Sequence, residues 1–159
     1  MADLEALERQ LCEYLGFGVA TSFKRWKYED AANVYEVNEI GHEEEFKLCA
    51  DNRGVCFLTD FPYSTSPFWN MKKNGTTANK IDVLLKGMET IGSAERSSDP
   101  DEMREQFHTI SNGGYAGLLY DTFGKDRVEA ELEEFLSNDF FPRFGGGIGL
   151  TRLIRALTL

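Results

Sequence analysis

The sequence has few of the residues that most often bind metals or form disulfides. Its 159 residues include three cysteines, Cys12, Cys49 and Cys56, and two histidines, His42 and His108. The number of cysteines is odd, they form no C-x-x-C pair, and the two histidines are far apart in the sequence. For these three reasons the sequence predicts neither a disulfide framework nor a zinc site. This scarcity is typical of a reduced protein, and we predict a cytoplasmic location.

Positive charge and long apolar runs are also scarce. Lys and Arg number 17 against 27 Asp and Glu, which gives a formal net charge of -10. A surface that binds nucleic acid needs clustered basic residues, so we do not expect this chain alone to bind tRNA. The first residues, MADLEALERQL, carry too many charges for a signal peptide, and no apolar run is long enough to cross a bilayer. We therefore predict no membrane association.

The sequence is rich in apolar side chains, with 42% hydrophobic and 13% aromatic residues. This content predicts one core and a single domain over residues 1–159. Apolar spacing and capping residues predict helices in 4–16, 97–110 and 126–136, and short Val, Ile, Leu and Phe runs predict strands in 32–40, 54–61, 81–85 and 88–92. In the first helix, the predicted buried stripe is Leu4, Leu7, Leu11 and Leu15. A last strand and helix follow residue 140. The predicted fold class is α+β, a mainly antiparallel sheet flanked by helices, because the two strands around residue 86 are too close together for a parallel connection.

The segment KIDVLLKGMETIGS predicts a hairpin that places two carboxylates together. If Lys86–Gly87 form a two-residue turn, Leu84 pairs with Glu89. Asp82 then lies on the same sheet face as Glu89 and diagonal to it. Two facing carboxylates suit a Mg²⁺ ion that also binds phosphate oxygens. The alternative is that Asp82 is a strand-edge charge and Glu89 a solvated residue near the turn.

Arg96 follows the hairpin's glutamate by seven residues, so in a regular strand it would point to the opposite face. A β-bulge at Gly92 or Ser93 would bring it to the acidic face. There its guanidinium would form a bidentate pair with a substrate carboxylate. The alternative is a surface salt bridge with Glu95 or Asp99.

Two segments together resemble the catalytic core of class II aminoacyl-tRNA synthetases. PRFGGGIGLTRL is similar to the third signature motif of that class, closest to its aspartate and asparagine branch, and DVLLKGMETIGSAER is similar to a second segment of that branch. Upstream, EIGHEEEFKL and GVCFLTDFPYSTSPFWNM resemble its acidic helix and the strand after it. The match runs from about Phe23 to the C-terminus.

The resemblance implies an ATP site and an amino-acid site. It implies that Asp82 and Glu89 hold Mg²⁺ and phosphate, that Arg96 recognises the amino acid, and that Arg152 clamps ATP. It also implies that Ser93 and Arg143 line the amino-acid pocket. Glycines 145, 146, 147 and 149 would let a strand lie close beneath the adenine ring, since a Cβ there would occupy its space. Without the resemblance, a glycine cluster also fits a flexible turn.

Three departures from the family pattern bear on function. Thr151 stands where tRNA synthetases of this branch have an acidic residue, and ammonia-dependent asparagine synthetase has a small hydroxyl residue there. Arg143 stands where the branch usually has His. The first and second motifs have no match, so the resemblance covers only the C-terminal half of a core.

Three functions stay open on this basis. The first is an AMP-forming ligase that activates aspartate with ATP and forms asparagine with ammonia. The second is a fragment of an asparaginyl- or aspartyl-tRNA synthetase, and the third is a non-catalytic paralogue that acts as a ligand sensor or partner subunit. Because the arginine of the second motif is missing, we expect low activity from the chain alone. We also expect a homo-oligomer or a partner chain, because a sheet without the strands of that motif leaves an unpaired edge.

Overall fold

A computed structural model describes residues 1–158, which form seven helices and six strands. The elements in chain order are α1 (Ala2–Tyr14), β1 (Lys24–Lys27), α2 (Tyr28–Val34), α3 (His42–Asp51), β2 (Val55–Pro62), β3 (Lys73–Asn74), β4 (Thr77–Leu85), β5 (Met88–Arg96), α4 (Pro100–Thr109), α5 (Gly114–Phe123), α6 (Lys125–Leu136), β6 (Arg143–Ile148) and α7 (Leu150–Thr158). Short 3₁₀ turns occupy Ala20–Ser22, Tyr63–Thr65 and Ile110–Gly113. Within residues 1–158, no helix is both long and apolar enough to cross a membrane.

The strands form one sheet in the order β1-β2-β4-β5-β6, and the short β3 pairs with the start of β4. Only β1 and β2 are parallel, and every other pair is antiparallel. The predicted α+β fold with a mainly antiparallel sheet is therefore confirmed.

Alternating side chains of β2 and β4 bury both faces of the sheet. Phe57, Ile81 and Val83 pack on one face against α1 and α7, whereas Leu58 and Leu84 pack on the other face against α2 and α3. Because both faces are covered, these central strands are almost wholly buried.

A third layer consists of α4, α5 and α6, which pack around Trp69. The Trp69 ring meets Phe107 and Phe135 edge-on, with ring centroids 5.4 and 5.6 Å apart. Helix α4 begins at Pro100, within the predicted range 97–110, and Asp99 caps it by accepting backbone hydrogen bonds.

The predicted strand over 32–40 is wrong. Its first residues belong to α2, and the remainder is an irregular segment that leads to α3. The sequence signal for a helix was the acidic pair Glu29 and Asp30, which lies in the first turn of α2, where the helix dipole favours negative charge. Ala31 and Ala32 then bury one side of this helix.

The buried stripe of α1 also differs from the predicted one. Leu4 is buried, but Leu7 is 64% exposed, and Glu8 and Cys12 take the inward positions instead. The orientation of α1 therefore places the Glu8 carboxylate in the core, against the sheet.

Candidate active site

The β4–β5 hairpin turns at Lys86–Gly87, where φ is 52° and 88°. Positive φ at both residues is the mark of a type I′ turn, whose twist suits a two-residue hairpin. Leu84 pairs with Glu89 and Leu85 with Met88, so the predicted register next to the turn is confirmed.

A β-bulge at Thr90 brings Arg96 to the acidic side of the sheet. Glu89 and Ile91 pair with consecutive residues of β4, so Thr90 is the extra residue of β5. Gly92 and Arg96 consequently share the face that carries Asp82, which we call the site face. The bulge lies two residues before the nearer of the two predicted positions.

The carboxylates of Asp82 and Glu89 converge above Gly92. A Cβ on Gly92 would lie 2.8 Å from Glu89 Oε1 and 3.5 Å from Asp82 Oδ1. Asp82 is 4% exposed, and its Oδ1 has no hydrogen-bond partner within residues 1–158. Its Oδ2 accepts from Lys80 Nζ at 2.5 Å, and the same ammonium lies 3.8 Å from the centroid of the Phe61 ring. Burial raises the pKa of Asp82 to about 6, because Lys80 offsets the desolvation only in part.

The main cleft, about 470 Å³ in volume, opens above these carboxylates. Glu45 of α3 lines it beside Asp82 and Glu89, and aromatic rings, including Trp69 and Tyr115, line the other side. Burial raises the pKa of Glu45, and the charge of Glu89 adds to this effect. The cleft therefore combines carboxylates with an apolar wall.

Two carboxylate oxygens of the site fit a magnesium ion, because they face the same point. Asp82 Oδ1 is a buried carboxylate oxygen without a partner, and Glu89 Oε1 faces the same point above Gly92. Among the described residues, no group of three or more His, Cys, Asp or Glu side chains is placed to bind a metal. Mg²⁺ needs only one or two carboxylates when phosphates and water complete its shell.

Arg152 lies at the start of α7, beside Glu89. Its Nη1 donates to the Glu89 carbonyl oxygen at 2.8 Å and lies 3.7 Å from Glu89 Oε2. The side chain is 57% exposed, and it lines a hollow of about 450 Å³ together with Glu45, Thr151 and Arg155. The guanidinium is therefore held near the carboxylates while one side stays open to a ligand.

The glycines of β6 divide between the two faces of the sheet. Gly147 pairs with Gly92, and a Cβ on Gly147 would meet open space. On the same face, a Cβ on Gly145 would lie 2.9 Å from Arg96 Nε, whereas a Cβ on Gly149 would have only ordinary contacts. Gly146 faces the other way, where its Cβ would come within 2.8 Å of a backbone oxygen. Gly147 thus leaves open space on the site face, next to the carboxylates that lie above Gly92.

Arg96 and Arg143 are direct cross-strand partners on β5 and β6. Arg96 donates to Asn70 Oδ1 at 2.9 Å and to the Gly145 carbonyl at 3.1 Å, and Arg143 donates to the Ser97 carbonyl at 3.1 Å. In the part of the chain that the structure describes, neither guanidinium has a carboxylate within 4.0 Å. Burial lowers the pKa of Arg96, and the neighbouring charge of Arg143 lowers it further.

The surface salt bridge considered for Arg96 is not formed. Glu95 pairs with Lys72 at 2.7 Å, and Asp99 caps α4. The two arginines therefore leave positive charge for an external anion.

Ser93 does not face the main cleft. It is 3% exposed and donates to Glu8 Oε1 at 2.5 Å on the opposite face of the sheet. Because the bulge lies at Thr90, the Ser93 side chain lies on the same sheet face as the core residue Ile91. The structure thus separates Ser93 from Arg96 and Arg143, and its side chain is omitted from the site proposed below.

Glu45 and Lys80 are charged residues of the main cleft that were absent from the predicted set. Glu45 lies in the acidic segment EIGHEEEFKL, but three consecutive glutamates gave no means to choose the inward one. Lys80 precedes Asp82 by two residues, and this spacing in a strand was sufficient to place it on the site face.

The family described as "tRNA synthetases class II (D, K and N)" matches residues 2–159, and the chain belongs to this family. It is 27% identical over 164 residues to the aspartate–tRNA(Asp/Asn) ligase of Methanopyrus kandleri, covering 98% of this chain and 34% of the relative. It is 28% identical over 152 residues to the lysine–tRNA ligase of Psychrobacter cryohalolentis, covering 92% of this chain and 27% of that relative. The chain thus spans about a third of the length of these relatives.

Solved structures show the same fold. The asparaginyl-tRNA synthetase of Pyrococcus horikoshii, solved with asparaginyl-adenylate, aligns with a TM-score of 0.64 at 22% identity, over 86% of this chain and 32% of that one. The aspartyl-tRNA synthetase of Entamoeba histolytica gives 0.62 at 21% identity, over 86% and 29%. The predicted resemblance to the aspartate and asparagine branch of the class is confirmed.

Proposed function

We propose that the chain is part of an aspartyl- or asparaginyl-tRNA synthetase core that binds Mg-ATP and an acidic amino acid. The observation that carries this proposal is the convergence of unlike groups on one sheet face. Two carboxylates, Asp82 and Glu89, line the main cleft on this face. Two guanidiniums without a carboxylate partner, Arg96 and Arg143, and the open space at Gly147 lie on the same face.

Asp82 and Glu89 would hold the magnesium ion. When bound, the ion supplies positive charge that offsets the charge of the ATP phosphates. Gly147 leaves room for a flat ring to lie on the strand beside these carboxylates, and Arg152 would pack against the nucleotide from α7. Gly145 and Gly149 lie two residues before and two residues after Gly147 along the chain. Stacking of a guanidinium on a base contributes roughly 0.5–2 kcal/mol.

Arg96 and Arg143 would recognise the amino acid. Two adjacent guanidiniums without a protein carboxylate favour a ligand that brings its own negative charge. Aspartate has two carboxylates and asparagine has one, so the pair of arginines supports aspartate as the amino acid.

The relatives favour a tRNA synthetase over an asparagine synthetase. Both relatives named above are tRNA ligases, and a third, from Homo sapiens, is named a cytoplasmic aspartate–tRNA ligase. This last name also supports the predicted cytoplasmic location. Asparagine synthesis from ammonia is the second candidate, and the exposed hydroxyl residue Thr151 beside Arg152 is the feature that favours it.

We also propose that another chain or segment covers the β6 edge of the sheet. β6 pairs only with β5 among the described strands, so one side of its backbone is open. Leu150, Ile154 and Leu157 are 68%, 63% and 48% exposed along one side of α7, and Phe144 and Ile148 of β6 are 44% and 43% exposed. An exposed strand edge beside apolar residues is typical of a contact surface. The mass of the chain in solution tests whether a second copy is the partner.

Calorimetric titration of Mg-ATP into a Glu89→Ala variant tests the proposed nucleotide site. We expect affinity to fall by about tenfold or more, equivalent to ~1.4 kcal/mol, because the variant removes one carboxylate from the ion. Folding should be unaffected, since Glu89 is a partly exposed residue of the sheet.

The matched control is Glu95→Ala, which removes the same charge from the other face of the same strand. Equal Mg-ATP affinity in the parent and the Glu89 variant would remove Glu89 from the site. A loss of the same size in the Glu95 variant would also contradict the proposal, because net charge alone would then explain the effect.

A further inference from the structure

A second cavity of about 400 Å³, the side pocket, lies next to the main cleft. It is enclosed by the turn after β2, the C-terminal end of α4 and the turn before α5. Ser66 and Ser111 line both spaces, so they form a shared wall. None of the proposed ATP or amino-acid residues lines the side pocket.

Gln106 gives the side pocket a buried donor without an acceptor. Its side chain is 3% exposed, and its Oε1 accepts from Tyr63 Oη at 3.1 Å. Its Nε2 has no hydrogen-bond partner among residues 1–158. A buried donor left unpaired costs roughly 1–3 kcal/mol, so a ligand oxygen at this position would remove a real penalty.

The side pocket has further donors. The hydroxyls of Ser64, Ser66 and Ser111 and the amide of Asn112 line it at exposed positions and make no hydrogen bond to the described residues. The hydroxyls of Tyr63 and Thr109, which also line it, donate to protein oxygens. Lys73 supplies the one charged group in the lining, and its Nζ lies 5.0 Å from the centroid of the Tyr63 ring. The lining contains no carboxylate, although the whole chain has a net charge of -10.

Three residues of the lining hold an unfavourable backbone conformation. Ser66, Ser111 and Asn112 have φ of 51°, 53° and 55°, in the left-handed region that non-glycine residues seldom occupy. Strain of this kind, about 1–3 kcal/mol per residue, is concentrated at ligand-binding sites. Here it turns polar residues toward a single space.

We propose that the side pocket binds the phosphate group of a small organic ligand. Hydroxyl and amide donors on several sides, with one ammonium, suit a tetrahedral anion with several oxygens. A carboxylate presents its two oxygens in one plane, and it is bound best by the fork of an arginine, which the lining lacks. The cavity exceeds the volume of a phosphate, so the remaining space accommodates the organic part of the ligand.

The test is titration of the chain with inorganic phosphate, glycerol 3-phosphate and acetate, followed by NMR of the backbone amides. We expect both phosphate compounds to shift the signals of Ser111 and Asn112, with glycerol 3-phosphate binding more tightly, and acetate to bind at least tenfold more weakly. Lys73→Met should weaken phosphate binding at least fivefold, since it removes the one charge of the lining. Lys73 is exposed, so this variant should fold normally.

Lys72→Met is the matched control, because Lys72 adjoins Lys73 but pairs with Glu95 away from the pocket. Gln106→Met tests the buried donor with a side chain of similar size and should also weaken phosphate binding. The proposal is overturned if Lys72→Met and Lys73→Met reduce phosphate binding equally, or if acetate binds as tightly as phosphate. It is also overturned if phosphate shifts only residues of the main cleft. Because Mg-ATP binding to the Glu89 variant is measured separately, failure here leaves the proposed function untouched.

Discussion

At the scale of single residues, the adjacent side chains of Arg96 and Arg143 give the clearest argument about the charge of the proposed ligand. Like charges placed side by side repel, and the hydrogen bonds of both arginines go only to neutral oxygens of the protein. This arrangement is stabilised when an anion joins them. It therefore supports the proposed anionic ligand on grounds that do not depend on any relative.

We predict that Arg96→Lys reduces aspartate binding by about tenfold or more while keeping the charge. Only the planar guanidinium donates two parallel hydrogen bonds, and Lys would also lose the contact with Asn70. Calorimetry with aspartate and with asparagine measures the effect. Arg104→Lys is the control, since Arg104 binds Glu133 on the helical layer. Unchanged aspartate affinity in the Arg96 variant would show that this residue is not a ligand.

At the scale of elements, strand β6 contains two neighbouring glycines whose surroundings differ. Gly146 is required by the fold, because a Cβ there would overlap the Cβ of Ser93 at 2.7 Å. Gly147 has open space instead, so the folded chain alone does not need a glycine at that position. The proposed flat ligand does need one, because it would lie in this space.

We predict that Gly147→Ala lowers ATP affinity by about tenfold or more without changing the melting temperature by more than a few degrees. Gly146→Ala, one position away, should lower the melting temperature markedly, since backbone and Ser93 must move. Thermal unfolding and ATP titration of the two variants measure both effects. If Gly147→Ala binds ATP normally, the ring does not lie on this strand.

The sequence predicted the β4–β5 hairpin well because its determinants are local. A two-residue turn and alternating apolar residues set the register near Lys86–Gly87. The position of the bulge was not predictable to the residue, since it depends on how Thr90 and its neighbours pack within the sheet. The resemblance implied that Ser93 lines the amino-acid pocket, but the bulge at Thr90 puts its side chain on the opposite face. Glu45 joins the site only through tertiary contact, which no spacing in the sequence encodes.

At the scale of the whole molecule, the buried carboxylate of Glu8 couples stability to pH. Burial raises the pKa of Glu8 from 4.5 to about 7, although the hydroxyl of Ser93 lowers it in part. Its Oε2 has no partner in the described part of the chain. Because the folded state binds the proton more tightly than the unfolded chain, Glu8 favours folding at low pH, and this contribution declines as pH rises from about 4.5 to about 7.

We predict that Glu8→Gln is more stable than the parent at pH 8, by up to roughly 3 kcal/mol, and similar to it near pH 4.5. The amide can still accept from Ser93 but never becomes charged. Urea unfolding between pH 4 and 8 measures the difference, with the exposed Glu13→Gln of the same helix as the control. Parallel stability curves for the parent and the Glu8 variant would contradict the prediction.

The chain's two tryptophans lie in different layers of the molecule. Trp69 is buried among the rings of the helical layer, and Trp26 lies on the edge strand β1. The emission of a Trp26→Phe variant therefore comes from the helical layer alone, and that of Trp69→Phe from the sheet edge alone. The molecule thus carries two intrinsic optical probes. Comparing their denaturation curves distinguishes one cooperative transition from separate melting of the layers.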